Sequence, residues 1–511
     1  MNDPGLHLLH RGREQPQQAA RSAGGGHDAR YRIAPRLETI ADESGGILFS
    51  WRPFMAIRLN TAAFRLVSAM SGTDGRTAAE LAARIPSLSR HEAAAFLDGL
   101  ARRRLLIREP ATPKRWPSVS IIVAAYGRPD ATRACVQSLL AQDYPGEQIE
   151  ILVADDASDP PLAPALSAFP INVMRLDRNV GQSAARNLAA AEAGGELLAF
   201  IDNDCTASPT WLRELVPYLH DRDYAIVGGR TVAREVLGAV AAFEAVRSPL
   251  DMEALQGPVG PREAIAYLPT CNLLVRRDAF FAAGGFAVEM RVGEDVDFIW
   301  RALEHGAPVH YAAGGVVVHD HRVRLGALLR RRADYGSSEA DLQRRHPQHG
   351  RTMTLPCTGL LALASLTAFG VAWPAGAVLA LLALATVVGE LLGKRRRLRK
   401  MGMAVGAQNL VAPLLREHAA SLYHLGCEVT RYYGLPLLAI GASWPPLLTV
   451  IAFLLLVGPI CDHRRRKPAL SLPAFIGLYW LEMASYQLGV WLGCLKQRCW
   501  RPLFPRIRWR L

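Results

Sequence analysis

At 511 residues the chain is too long for one compact domain, so two or three folding units are expected. Half of the residues are hydrophobic, a high share for a soluble protein, and the formal net charge is +13. That charge is not evenly spread: from Lys394 onward there are 18 Lys and Arg against 4 Asp and Glu, and before it 41 against 42. A basic excess confined to the apolar C-terminal third reads as membrane flanking, and it argues against nucleic acid as a partner. The eight cysteines show neither a CxxC pair nor zinc-ligand spacing, which suits small buried side chains in a reducing compartment.

In chain order, residues 1–29 hold no apolar core of a secretory leader and no periodicity, and a disordered tail is expected there. Residues 30–110 read as a small winged-helix-like α+β domain. "RYRIAPRLETIADESGGILFSW" and "FMAIRLN" alternate like strands, with Gly45-Gly46 as a turn. "TAAFRLVSAM", "TAAELAARI" and "SRHEAAAFLDGLARRRLLI" follow with helical spacing and Thr61, Thr77 and Ser89 as caps. A polar linker, "ATPKRWPS", leads into residues 118–350, where apolar strands alternate with helices: "VSIIVAA", "IEILVADD", "INVMRLD" and "LLAFIDND". That alternation predicts a Rossmann-like, mostly parallel sheet, which binds ligands beyond the carboxyl ends of its strands.

Residues 355–511 read as a helical membrane-associated region with apolar tracts at 355–393, 435–461 and 473–495. Basic clusters at 394–400 and 464–467 follow the first two. If all the basic clusters lie on the cytoplasmic side, each tract enters and leaves on that side. The first reads as a hairpin broken at Trp373-Pro374, with arms short against the roughly 20 residues that span a bilayer. Re-entrant hairpins, interfacial helices, true spans and a helical dimerisation bundle all stay open.

Five motifs carry chemistry. "FIDND" places Asp202 and Asp204 at a strand end, where they suit a Mg²⁺ or Mn²⁺ ion holding a diphosphate, with Asp204 as the more direct ligand. In "LVADDAS", a carboxylate at Asp156 accepts the imide N–H of a uracil ring or caps the next helix. Tyr126 stacks on a base or simply packs. Arg186, about two turns into the helix begun by "NVGQSAARN", faces a diphosphate or solvent. In "GEDVDFIWRALEHG", Asp295 is the candidate base for an acceptor hydroxyl, with Glu294 and Asp297 supporting it or capping the helix. His319 in "HDH" is a second candidate metal donor or a structural surface histidine.

Together, "VSIIVAAYGRP", "ILVADDAS", "NVGQSAARN", "FIDND" and "GEDVDFIWR" resemble the motif series of inverting family 2 glycosyltransferases with the GT-A fold, over roughly residues 118–345. The resemblance implies a UDP-sugar donor and a divalent metal at Asp202 and Asp204. It implies Ala124, Tyr126, Asp156, Arg186 and Asn203 around the nucleotide sugar, and Asp295 as base. No QxxRW tract follows the acidic cluster, which sets the chain apart from processive synthases. More narrowly, "GEDVDFIWRALEHGAPVHY", "VVVHDHR", "YGSSEADLQRRHP", "FEAVRSPLDM" and "YQLGVW" are similar to the mycofactocin-system glycosyltransferases, and residues 30–108 resemble the peptide-chaperone domain of the PQQ pathway. That likeness implies glucosylation of a redox cofactor derived from a ribosomal peptide, at the cytoplasmic face of the bacterial inner membrane. Its partners would be the peptide-derived acceptor, the precursor peptide or its maturation enzymes, and membrane lipid. A transferase acting on a lipid or cell-surface polysaccharide precursor is the second reading. A non-enzymatic scaffold is the third, and the intact acidic clusters argue against it.

Overall fold

The computed structural model describes residues 29–510 apart from 53, 71–74, 86–87, 221–223 and 235–236, so the expected tail lies almost wholly outside the described residues. The chain forms two compact units. One comprises Met1–Phe49, Ile57–Arg234 and Ser248–Asp320, the other Ser50–Ala56, Glu235–Arg247 and His321–Leu511.

The N-terminal elements are β1 (Arg30–Ile33), β2 (Glu38–Asp42), β3 (Gly45–Trp51), β4 (Phe54–Asn60), α1 (Thr61–Ser68), β5 (Arg76–Thr77), α2 (Ala78–Ala82), α3 (Arg90–Arg102) and β6 (Leu106–Glu109). They make two small sheets, ordered β5-β1-β6 and β2-β3-β4. Thr77 and Ser89 each form a capping box with the glutamate three residues on, Glu80 and Glu92. α1 is capped by Asn60 instead of Thr61, because the Asn60 side chain accepts the Ala63 N–H at 2.8 Å.

Two local expectations are corrected. The turn falls at Glu43-Ser44, where Asp42 accepts the Ser44 N–H at 3.0 Å, and the two glycines instead open β3. Packing requires them there: a Cβ on Gly45 would lie 2.3 Å from the Leu59 carbonyl oxygen, and one on Gly46 2.2 Å from the Phe64 ring. The last helix stops at Arg102, and Leu106–Glu109 becomes a strand paired antiparallel with β1.

The remainder of this unit continues with β7 (Val119–Ala125), α4 (Pro129–Leu140), β8 (Ile149–Asp155), α5 (Ala163–Leu166), β9 (Asn172–Arg175), α6 (Gln182–Glu192), β10 (Leu197–Asp202), β11 (Cys205–Ala207) and α7 (Trp211–His220). It ends with β12 (Ile226–Gly228), β13 (Thr231–Ala233), β14 (Gly257–Pro258), β15 (Leu273–Arg276), α8 (Arg277–Ala282), α9 (Glu294–Glu304), β16 (Val309–Tyr311) and β17 (Val317–His319). Eight strands line up as β14-β16-β12-β15-β10-β7-β8-β9. Strands β10, β7, β8 and β9 are mutually parallel, and β15 runs antiparallel between β10 and β12.

Both faces are buried because consecutive strand residues point to opposite sides. Ile121, Val123, Ile151, Val153 and Ile201 pack on Val136, Leu139, Trp211 and Leu215, while Ile122, Leu152, Leu198 and Phe200 pack on Ala185, Ala189, Phe298 and Ile299. This is the Rossmann-like, mostly parallel layering expected of the alternating pattern, and it agrees with the GT-A fold that the resemblance implied. A second, three-stranded sheet, β11-β17-β13, lies beside it.

The second unit holds the helix Ala239–Arg247, then α10 (Leu325–Arg345), β18 (Thr352–Pro356), α11 (Cys357–Phe369), α12 (Trp373–Lys400), α13 (Ala407–Ser443), α14 (Leu448–Arg466), α15 (Leu472–Gln497) and β19 (Arg506–Arg510). The first apolar tract breaks between Phe369 and Trp373, where the Trp-Pro pair stands. Two helices, Trp373–Lys400 and Pro445–Arg466, are long and apolar enough to cross a membrane. The third tract behaves differently: α15 packs backbone-to-backbone on the arginine-rich α10. A Cβ on Gly336 would lie 2.2 Å from the Tyr486 carbonyl oxygen, and one on Gly489 2.0 Å from that of Ala333. Its lone acid, Glu482, is buried against Arg332 at 2.7 Å and Arg247 at 3.3 Å.

His310, on β16, is buried between the rings of Tyr218 and Tyr224, at centroid distances of 5.0 and 4.5 Å. Burial, then the positive fields of Arg108 and Arg104, push its pKa down from 6.5 to about 3. The folded state therefore binds fewer protons than the unfolded chain between those values, and stability is lost as pH falls from about 6.5 toward about 3. His310→Phe should flatten the decline of the thermal midpoint between neutral and mildly acid pH; an unchanged acid slope would remove His310 from that account.

Candidate active site

The register of the large sheet puts Asp202 beside Ala124 and Asp155 beside Ala125, so three carboxyl-terminal strand ends open on one place. Tyr126 follows β7 with 61% of its surface exposed. Next come Gly127 and Arg128, both left-handed at φ 64° and 55°, and Pro129 at the first position of α4. Proline disfavours a right-handed helical residue before it. Arg128 turns the other way, and its guanidinium reaches the Asp204 carboxylate at 2.6 Å.

The two acids after β8 have separate duties. Asp155 is fully buried and accepts from the Ser158 and Leu162 N–H groups and from Arg175, at 2.9, 3.1 and 2.8 Å. Burial raises its pKa, but these bonds outweigh it and hold the carboxyl below the ordinary value. Asp156 accepts the Val180 and Gly181 N–H groups at 2.7 and 2.9 Å, which fixes the entry to α6. A carboxylate has about four acceptor positions, so Asp156 keeps capacity for a further donor.

Arg186, from the middle of α6, is 3% exposed. It donates to Asp202 at 2.6 Å and to Glu294 at 3.3 Å, and Gln182 also donates to Glu294. Burial opposes its charge, and Asp202 and Glu294, with Asp295 behind them, more than restore it. Arg186 thus faces carboxylates rather than solvent.

Asp204 lies where β10 hands over to β11. Antiparallel pairing sets Cys205 opposite His319, and the His319 imidazole comes within 3.6 Å of the Asp204 carboxylate. Asp204, Cys205 and His319 form one of the described clusters whose donor atoms all lie within 4.8 Å of one another. Burial, then Cys271, push the Cys205 thiol up, and its soft sulfur suits a hard oxygen-seeking cation less well than its two neighbours do. A carboxylate beside an imidazole is a donor set that fits a Mn²⁺-class cation, and the carboxylates alone suit Mg²⁺. The Asn203 amide donates to the Thr132 hydroxyl at 3.0 Å.

In the acidic cluster opening α9, Gly293 takes φ 85° as N-cap. Glu294 and Asp297 are buried, the first on Arg186 and the second on Arg301 at 2.8 Å. Asp295 is half-buried and touches its own turn through the Val296 N–H. A carboxylate so placed is able to accept a proton.

Sequence reasoning passed over Arg128, Gln182 and the pairing of Glu294 with Arg186. Only the Arg-Pro step hinted at the first; the other two join residues 112 and 108 positions apart. Because Glu294 helps neutralise a buried cation, Glu294→Gln should cost about 3 kcal/mol. That should appear as a lower unfolding midpoint, whereas Asp295→Asn should leave the midpoint nearly unchanged; equal midpoints for both would remove the ion pair from the account of stability.

Residues 120–281 match the family model for glycosyl transferase family 2. The chain is 29% identical over 418 residues to the pre-mycofactocin glycosyltransferase of Mycobacterium tuberculosis, covering 78% of this chain and 84% of that protein. It is 27% identical over 228 residues to the glycosyltransferase AglE of Haloferax volcanii, covering 44% and 73%. A mannosyltransferase of Pyrobaculum calidifontis, solved with GDP-Man and Mn2+, aligns with a TM-score of 0.37 at 17% identity, covering 68% of this chain and 88% of that one. The family match lies on the domain that carries the acidic strand ends, so residues 120–281 form a glycosyl transferase family 2 domain, and the chain is similar over most of its length to a pre-mycofactocin glycosyltransferase.

Proposed function

We propose that the chain transfers a hexose, glucose first among the candidates, from a UDP-sugar to a mycofactocin precursor, with inversion at the anomeric carbon. The observation that carries this reading is Arg186, which ties Asp202 at a strand end to Glu294 beside Asp295. Donor and acceptor groups thereby meet around one buried cation. Asp156, with Tyr126 and Ala124 at the neighbouring strand end, takes the uridine, and Arg186 and Asn203 border the diphosphate. Asp204, with Asp202 and His319, holds a divalent metal, which when bound neutralises charge on the departing diphosphate. Asp295 removes the proton from the acceptor hydroxyl as it attacks the anomeric carbon. A single in-line displacement inverts the configuration there.

Residues 30–110 hold the precursor peptide or a maturation enzyme. The support is the fully exposed strand β2 at the edge of its sheet, which suits strand addition. The enzyme works at the cytoplasmic face of the bacterial inner membrane, consistent with apolar helices followed by basic clusters. The similarity to a protein named for mycofactocin supports the acceptor. The exposed apolar helices favour a lipid-linked acceptor as the second reading.

Asp204→Asn should weaken metal-dependent UDP-sugar binding in calorimetry and lower turnover. Asp295→Asn should keep donor and metal binding while transfer falls by about 10²–10⁴. An α-linked donor should yield a β-linked product by NMR. Loss of donor binding in Asp295→Asn, or retention of configuration, would overturn the mechanism. The precursor peptide, added to the full-length chain, should slow hydrogen exchange along Glu38–Asp42. No protection at high excess would leave the module as a structural or partner-docking domain.

A further inference from the structure

Two of the apolar tracts fold as helical hairpins. In the first, α11 and α12 run against each other, with the Ser365 hydroxyl donating to the Gly376 carbonyl at 3.1 Å near the bend. In the second, α13 and α14 meet at the Trp444–Leu447 turn, where a Cβ on Gly441 would lie 2.7 Å from Ile451. The two bends touch: a Cβ on Gly370 would lie 3.7 Å from Pro446.

Charge is sorted along this paired hairpin. Residues 357–389 and 432–461 contain no Asp, Glu, Lys or Arg. At the far end from the bends a polar belt crosses all four helices. Thr358 donates to Glu390 at 3.1 Å, Glu390 meets His418 at 3.4 Å, Lys394 meets Glu417 at 2.7 Å, and Tyr423 donates to Asp462 at 2.6 Å. The basic runs at 394–400 and 464–467 begin at that belt. The bends are apolar and open, with Trp373 71% and Trp444 47% exposed. Of the apolar window of α12, only 11% is buried within the protein.

Length decides what covers this surface. At 1.5 Å per residue, the uncharged legs reach about 20 Å for α11 and about 25 Å for α12 from Trp373 to Gly389. They reach about 18 Å for α13 from Tyr432 and about 21 Å for α14 to Cys461. A hydrocarbon core is about 30 Å thick. Each uncharged leg falls short of that thickness, although the whole helices Trp373–Lys400 and Pro445–Arg466 do not, and each leg is long enough to pass the middle of the bilayer. Chains that turn back at an uncharged bend, with every cationic run at the other end, meet the positive-inside preference without crossing.

We infer that the two hairpins insert together into the bilayer from one side, with both bends ending inside the hydrocarbon and the Glu390–Asp462 belt at the headgroups. The inference rests on the membrane reading proposed above and fixes its topology: a monotopic anchor without a periplasmic loop.

The test uses the full-length chain in sealed right-side-out and inside-out vesicles of the producing cell, with Trp373→Cys, Trp444→Cys or Ala404→Cys and a membrane-impermeant maleimide. Labelling of the native cysteines in the unsubstituted chain is subtracted. Ala404→Cys, just past the first basic run, should react from the cytoplasmic side alone. Neither bend cysteine should react from either side, and detergent should raise their labelling at least tenfold. A bend cysteine that reacts from the periplasmic side shows a crossing and overturns the inference while leaving membrane residence intact. One that reacts from the cytoplasmic side without detergent shows a bend in water and overturns both. The unsubstituted chain gives an independent reading: it should stay with the membrane pellet in alkaline carbonate, and release into the supernatant overturns the insertion.

Discussion

The guanidinium of Arg186 is held almost out of water between the carboxylates of Asp202 and Glu294, and the remaining site geometry follows from that burial. A cation there is tolerable only with acids close by, because desolvating it alone costs several kcal/mol. The cost is offset by one carboxylate from the end of β10 and one from the first turn of α9. The two elements are therefore held at a fixed spacing by charge as well as by apolar packing. Asp295, one residue beyond Glu294, inherits its place from this clasp. Asp204, two residues beyond Asp202, inherits its place in the same way on the other side.

The acids were legible in the sequence because each follows an apolar run at a strand or helix end, where a parallel sheet leaves its openings. Their partners were not. Gln182 and Arg186 meet Glu294 only after the sheet has brought residues more than a hundred positions apart together. Local pattern also misjudged small structures decided by packing. Gly45 and Gly46 looked like a turn, yet they serve as places where a chain and a ring approach closely. The run RRRLLI continued a helical pattern, but antiparallel pairing with β1 claimed its end as a strand. The sequence pointed to Asp156 over its neighbour without showing what either one holds; hydrogen bonds spend Asp155 on its own loop and Asp156 on the entry to α6.

The C-terminal third shows a similar division between composition and contact. Hydropathy marked three tracts alike. Two are sorted into uncharged bends and basic roots, whereas the third, α15, presses its glycines onto α10 and answers its single acid with two arginines. Counting apolar residues could not separate them, because the difference lies in which helix each one meets.

The strand that brings His319 to Asp204 is three residues long and central in its sheet, aligned on one side by Cys205 with His319, Thr206 with Val318 and Ala207 with Val317, and on the other by Thr231, Val232 and Ala233 of β13. Side chains alternate faces along a strand, so a shift of one position would turn the imidazole away and offer a valine instead. Pairing on both sides is thus what arms the donor pair: a one-residue slip of β17 against its neighbours would disarm it without touching either donor. Variation within β17 should therefore be confined to replacements that keep it paired on both sides, although the strand itself holds none of the acids.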